Sequence, residues 1–318
     1  MSPCVGQRIC AVLALATMLL LAPAAGERAE AGVAMGAFLP GADTNPQRIG
    51  DYKQDLGRTP AIVGIYKDWG NRVFEEEQLS GIWGRGAVPM ITWEPWGARL
   101  RKIAHGRYDR YVRASARAAR RWGKPVFLRF AHEMNGDWYP WGEAASAHAY
   151  KGAWRHLVRV FRRVGADNVR WVWTPYVNPS WDLPFTGRFP GDHWVDWVGL
   201  DGINWGGGPS GWRGFKELFG GSYRLLRRIS SKPMILAEVG CGERGGDKAH
   251  WVSAALRQQI PRMRRIHALV WWSKNDSRGD LRINSSRSAL RALRRGAHLP
   301  LYGSGRYSLL GGTSPRPR

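Results

Sequence analysis

The feature that most constrains this chain is an alternation in which eight short apolar runs are separated by longer segments of helical periodicity. The runs fall at 34–39, 61–66, 88–93, 125–131, 169–174, 197–201, 234–238 and 268–272. Several are rich in Val, Ile and aromatics, as strands buried on both faces must be. Between them, Tyr108, Tyr111, Val112, Ser115, Ala119 and Trp122 recur at steps of three and four. So do Tyr150, Trp154, Leu157, Val158, Phe161 and Val164, with arginines on the opposite face. Further helices are expected over 46–56, 74–83, 215–229, 251–262 and 286–294. Strand followed by helix, eight times over, predicts an α/β chain folded as a single (β/α)8 TIM barrel. An open doubly wound sheet would call for a Gly-rich phosphate loop after the first strand, and none follows it. With 318 residues, 44% of them apolar, the chain has enough material for one such domain, expected over 26–300, with no linker, repeat or second domain.

The two ends read differently. Arg8 closes a weakly basic start, 9–22 is almost continuously apolar, and small residues follow at Ala22, Ala24, Ala25 and Gly26. That is the layout of a secretory signal peptide over 1–25, which places the mature protein outside the cell or in its envelope. An uncleaved anchor is the other reading, but the run is short for a span of roughly 20 residues. Residues 301–318 hold Gly, Ser, Pro and Arg and are expected to form a disordered tail. If Cys4 and Cys10 leave with the signal, Cys241 stands alone, an ordinary wall residue or a reactive thiol, and no internal disulfide is possible. The net charge of +23 would draw the protein toward acidic polymers. Its arginines, however, are scattered along helices (113, 117, 120, 121, then 155, 159, 162, 163) with no nucleic-acid motif among them. They fit a solvated outer ring of helices on a monomer, with no nucleic-acid partner and no stable membrane insertion.

In a barrel of this kind function collects where the strands end. Those ends carry Tyr66, Asp68 and Trp69, then Trp93-Glu94-Pro95-Trp96, then His132-Glu133-Met134-Asn135 followed by Trp138, Tyr139 and Trp141. Thr174, Tyr176, Asp201, Asn204, Trp205, Glu238, Trp271 and Trp272 complete the rim. Aromatic faces stack on the C–H faces of sugar rings, while carboxylates and amides bond hydroxyls. The 18 tryptophans would also serve core packing, but their clustering after strand ends favours a sugar cleft. Glu133 and Glu238 are each delivered by an apolar strand, which is unfavourable unless the charge is paired or used. Cleaving an acetal needs one acid for the leaving oxygen and a second carboxylate to attack or to activate water. A structural alternative has Glu238 simply pairing with Arg129 inside the barrel. The histidines are dispersed and no HExxH or CxxC spacing occurs, so no metal is expected; no G-x-S-x-G elbow supports a serine nucleophile.

The run 128–142, Leu-Arg-Phe-Ala-His-Glu-Met-Asn-Gly-Asp-Trp-Tyr-Pro-Trp-Gly, resembles the signature of glycoside hydrolase family 26, supported by Thr92-Trp93-Glu94-Pro95, 198–202 and 235–238. The resemblance runs from about the first strand through the eighth. It implies a retaining glycosidase, most often a β-mannanase, with mixed-linkage β-glucanases and β-1,3-xylanases as relatives. By motif position Glu133 is the acid/base and Glu238 the nucleophile. It also implies a substrate-facing set of Arg129, His132, Asn135, Trp138, Asp201 and Trp93, with Arg129 behind the glutamates and Trp271 or Trp272 flooring the cleavage subsite. No cofactor is implied. The family's tyrosine two residues after the Asp201 position is Ile203 here, which removes a donor to Glu238. Reduced activity, another substrate, or compensation by Tyr176 would each follow. The expectation is an exported endo-β-1,4-mannanase; a β-1,3-1,4-glucanase, an exopolysaccharide-processing glycosidase and a non-catalytic glycan binder are the alternatives.

Overall fold

A computed structural model describes Met1 and residues 32–177, 185–207 and 211–303. All eight expected runs are strands: β1 (Ala34–Phe38), β2 (Ile62–Asp68), β3 (Val88–Glu94), β4 (Val126–Phe130), β5 (Val169–Trp173), β6 (Trp197–Asn204), β7 (Met234–Cys241) and β8 (Ile266–Trp272). They close in chain order into a parallel barrel, β8 pairing back onto β1 from Ala34 opposite Ala268 to Phe38 opposite Trp272.

Because a strand's side chains alternate in direction, the barrel makes two cores from one sequence. Ala34, Ile62, Val88, Met90, Phe127, Val172, Ile235, Ala268 and Val270 fill the interior. Their neighbours Met35, Val63, Ile91, Leu128, Trp171, Leu236 and Leu269 pack outward beneath the helices. Gly199 on β6 is required by this closeness, since a Cβ there would meet the Ile235 carbonyl oxygen of β7 at 2.5 Å.

The helices are α1 (Gln47–Leu56), α2 (Glu76–Gly84), α3 (Leu100–Ala104), α4 (Asp109–Trp122), α5 (Ala147–Val164), α6 (Phe215–Ile229), α7 (Lys248–Ala254), α8 (Ile260–Arg262) and α9 (Arg287–Ala297). In α5 the Ser146 hydroxyl caps the Ala149 N–H at 3.2 Å, and Gly165 ends the helix in the left-handed region at φ 76°. The helix expected over 251–262 is continuous from α7 to α8 but contains a π-turn at Ala255–Gln259, just before Pro261, which has no N–H to continue the ladder.

Two expectations are corrected. Among the described residues a helix does not follow every strand: after β5 they carry only 3-10 turns, Phe185–Arg188 and Asp192–Trp194. Arginines of α5 hold that stretch in place of a helix. Arg155 bonds the Pro190 carbonyl at 3.0 and 2.8 Å, Arg162 bonds that of His193 at 2.6 Å, and Arg159 lies 5.6 Å from the Trp194 ring. The ordered chain also runs past residue 300. The Leu301 carbonyl receives the Val33 N–H at 2.7 Å, and buried Tyr302 donates to the Leu256 carbonyl at 2.7 Å. The remainder of the expected tail, 304–318, and the expected signal at 2–25 lie outside the described residues. Among the described residues no helix is long and apolar enough to cross a membrane.

Candidate active site

The mouth of the barrel is lined by the inward positions nearest the strand ends: Phe38, Tyr66, Thr92, Glu94, Arg129, Thr174, Asp201 and Trp272. Arg129, wholly buried, organises them. Its guanidinium donates to Thr92 Oγ1 at 3.0 and 2.8 Å, to Asp201 Oδ2 at 2.7 Å, to the Tyr66 hydroxyl at 2.8 Å and to Glu238 Oε1 at 2.5 Å. Burial opposes its charge, but Asp201, Tyr66 and Glu238 outweigh that and hold it protonated.

Glu238 reaches this network through a fault in the sheet. Along β7, Ile235 and Ala237 join the interior core while Leu236 faces outward, so simple alternation would turn residue 238 away from the mouth. The register shifts here on both sides, between Leu200 and Asp201 against β6 and between Leu236 and Val239 against β8. This bulge re-aims the carboxylate. The Tyr66 hydroxyl donates to the same Oε1 at 2.5 Å.

Glu133 is presented by strained backbone. Ala131 and Glu133 have φ of 46° and 51°, the two non-glycine residues with positive φ among those described. Such conformations raise the energy by about 1–3 kcal/mol each and persist only where surroundings fix them. Here they are fixed at every turn: Ala131 N–H to the Trp93 carbonyl at 3.0 Å and Glu133 N–H to the Thr174 carbonyl at 2.8 Å. The Tyr150 hydroxyl meets the Ala131 carbonyl at 3.2 Å and the Trp141 indole that of His132 at 2.7 Å. Beyond Met134 the chain doubles back, Glu143 N–H bonding the Gly136 carbonyl at 2.8 Å; a Cβ at Gly142 would collide with that oxygen. The loop so formed sets Trp138, 48% exposed, with its indole N–H 2.7 Å from Glu133 Oε2.

Burial, and then the charge of Glu238, push the Glu133 carboxyl up to about 8. One ligand atom each from His132, Glu133 and Glu238 lies within 4.8 Å of the others. That trio could hold a cation, which would have to share Glu238 with the Arg129 guanidinium. His132 is held neutral, its pKa driven well below the usual value by burial and by Arg129. Its Nε2 stands 3.2 Å from the Tyr139 hydroxyl, 3.9 Å from Glu238 and 4.0 Å from Glu94.

The expected site residues therefore divide. Glu133, Glu238, His132, Trp138 and Trp272 meet at the mouth, Trp272 stacked on Phe38 at 4.1 Å and edge-on to Tyr66 at 5.6 Å. Trp271 does not: it is buried on the outer side, bonds the Leu281 carbonyl at 2.8 Å and faces Trp251 of α7, which leaves Trp272 as the one of the two at the mouth. Trp93 likewise points outward, stacked on Trp69 at 4.7 Å and edged by Tyr111 and Phe161, and contacts no substrate from there. Arg129 and Asp201 lie wholly beneath the surface, Asp201 bonded to Arg129 and Arg129 to Glu238. Asn135 is a brace, its amide bonded both ways to the Tyr176 backbone at 3.0 and 2.9 Å. Tyr176 is not the donor that replaces the missing tyrosine at Ile203; Tyr66, from the opposite wall, supplies it. Glu94 and Trp96, expected on the rim but not among the site residues, form a second pair there. Trp96, 42% exposed, donates to Glu94 Oε2 at 3.1 Å, repeating the Trp138–Glu133 pair across His132, and burial raises the Glu94 pKa. Cys241 is buried with its thiol pushed up to about 12 by burial, an ordinary wall residue.

Comparison with known proteins fits this geometry. The model for "Glycosyl hydrolase family 26" matches residues 105–210, a third of the chain that includes Glu133 and Asp201. Endoglucanase H of Acetivibrio thermocellus is 35% identical over 273 residues, 83% of this chain and 30% of that protein. The chain belongs to glycoside hydrolase family 26. Mannan endo-1,4-beta-mannosidase A and B of Caldalkalibacillus mannanilyticus is 25% identical, covering 70% of this chain and 50% of that one. The family 26 barrel thus spans half or less of both relatives. Among solved structures, a modular endo-beta-1,4-mannanase from Cellulomonas fimi shares the fold with a TM-score of 0.67 at 19% identity, over 87% of this chain and 74% of that chain. A family 26 beta-mannanase from Bacteroides ovatus does so at 0.61 and 17%, over 86% and 90%.

Proposed function

We propose that the chain is an exported retaining glycoside hydrolase acting on the backbone of a β-linked polysaccharide. The observation that carries this is the approach of Glu133 and Glu238, an oxygen of each within 4.8 Å, from opposite sides of one aromatic-walled mouth. Retaining pairs stand about 5–5.5 Å apart, whereas inverting pairs leave about 6.5–9.5 Å for a water.

In the first step the protonated Glu133 gives its proton to the glycosidic oxygen while a Glu238 oxygen attacks the anomeric carbon. The C–O bond to the leaving sugar breaks and a glycosyl ester on Glu238 forms. Arg129 and Tyr66, both bonded to Oε1, keep the carboxylate from rotating. Esterification removes the Glu238 charge, one of the two causes that raise Glu133. Glu133 is then the stronger acid, and its carboxylate takes a proton from the water that attacks the anomeric carbon and frees Glu238. Trp272 offers a face to the sugar in between.

For the sugar, β-1,4-mannan is the reading that the family resemblance and the mannosidase relatives support. A β-glucan is the second reading, favoured by the higher identity and longer coverage of the endoglucanase. Reducing-end release by the purified chain from galactomannan, glucomannan, barley β-glucan and β-1,3-xylan decides between them. Release that disappears in Glu238→Ala supports hydrolysis and names the backbone. An intact fold that binds oligosaccharides without shortening them would replace the hydrolase with a glycan binder.

A further inference from the structure

The rim beside Glu133 carries a feature that hydrolysis of a neutral chain does not use. After β8 the strands β9 (Asn275–Asp276) and β10 (Gly279–Asp280) form a hairpin, with Arg278 at its turn. The Arg278 guanidinium lies 3.6 Å from the centroid of the Trp205 ring, on the loop after β6. Trp205 neighbours Tyr176, and the Tyr176 ring meets Trp138 edge-on at 5.1 Å. Trp138 donates to Glu133. Arg278, Trp205, Tyr176 and Trp138 thus make one continuous wall, drawn from four loops, that ends on the acid/base.

A general acid stands on the side of the leaving group, so this wall flanks the sugar that departs. Its outer end is a cation built to be held still. Stacking on the indole fixes the plane of the guanidinium. Asp276 meets Nε at 3.4 Å, and among the described residues no acceptor takes the two terminal nitrogens, which keep their donors for another partner. The base of the hairpin is anchored as well: the buried Lys248 ammonium donates to the Asp280 and Arg282 carbonyls at 3.3 and 2.8 Å and to Ser285 Oγ at 2.7 Å. A planar, preoriented fork with free donors is the usual reader of carboxylates. Glu133 does not fill that role, since it forms no ion pair with Arg278, although it feels the charge.

We propose that Arg278, stacked on Trp205, is a specificity-determining residue that binds a carboxylate-bearing sugar on the leaving-group side, so that the natural β-linked backbone carries acidic units beside the bond that is cut. This rests on the hydrolase reading for its orientation, and the chain's net charge of +23 agrees with a polyanionic partner.

The test separates the two. In the full chain carrying Glu238→Ala, affinities are measured by calorimetry for manno- and cello-oligosaccharides and for the same oligosaccharides oxidised at C6 to carboxylates. The proposal expects the oxidised ligands to bind about tenfold tighter at low salt, with the preference fading as salt rises. Arg278→Gln should abolish the preference, Arg278→Lys should restore part of it, and Arg117→Gln, on the exposed face of α4, should leave it intact. Equal affinity for both forms, no binding of either, or a preference that survives Arg278→Gln overturns the proposal, the last assigning it to the general surface charge. Failure of the unmutated chain to cleave any of these ligands would count against hydrolysis alone, because the binding preference is read without it.

Discussion

Glu133 and Glu238 are the same residue type, delivered to the same mouth, yet their surroundings differ in kind. Glu238 arrives on a bulged strand and meets a guanidinium and a phenol at one oxygen, both donors to a carboxylate. Glu133 arrives on a strained turn, meets a single indole, and is otherwise wrapped in apolar and aromatic surface that favours the neutral acid. The proposed division of labour follows from the environment: what a side chain can do chemically depends on which donors the fold aims at it.

The sharpest way to break this asymmetry is to remove one glutamate at a time. Glu238→Ala should lower kcat on the order of 10^4-fold or more. Azide, filling the vacated space, should rescue turnover and give a glycosyl azide of inverted configuration. Glu133→Gln should lose about 10^2- to 10^4-fold. Much of that loss should vanish with a dinitrophenyl leaving group, which departs without a proton. Azide products exchanged between the two variants would reverse the assignment.

Glu133→Gln should also separate the two residues in stability. A carboxyl whose folded pKa is raised from 4.5 to about 8 stabilises the fold fully below about 4.5, and that contribution is lost as pH rises through about 8. Glutamine does not titrate, so melting curves should show the variant gaining on the wild type as pH climbs across that window. A constant difference would mean that Glu133 is not buried as an acid. The same value places the alkaline limb of kcat/KM near 8, where the acid is lost.

Smaller effects refine the comparison. Tyr66→Phe deletes one donor to Glu238, worth about 1.5–3 kcal/mol for a bond to a charged group, and should slow kcat by roughly 10- to 100-fold in single-turnover assays. Unchanged kcat would return the question to Ile203. Smallest, Trp138→Phe removes the one indole that lowers Glu133, so the alkaline limb should move to higher pH. A limb moving down would show that the indole does not hold the carboxylate.

Much of this was legible in the chain. Eight strands and both glutamates could be read from apolar runs and from one long motif, because burial on both faces leaves a continuous hydrophobic signature. Parity was also there to be used. Trp93 and Trp271 are each one residue out of phase with the inward Glu94 and Trp272, and Tyr66 is in phase with Ile62. The bulge at Glu238 breaks that rule, and no pattern in the residues announces it, since it arises from a register shift between neighbouring strands. The 3-10 stretch after β5, at Phe185–Arg188 and Asp192–Trp194, was equally hidden. It is held by arginine contacts from α5, which in the sequence look like any solvated basic face.

The central claim, that one carboxyl attacks while the other shuttles the proton, is tested most directly by the anomer first released. Proton NMR of a β-linked oligosaccharide during its initial hydrolysis should show the β-anomer appearing first, with the α-anomer growing in only by mutarotation. An α-anomer that appears first would mean that water, not Glu238, attacks the sugar, and would contradict the account.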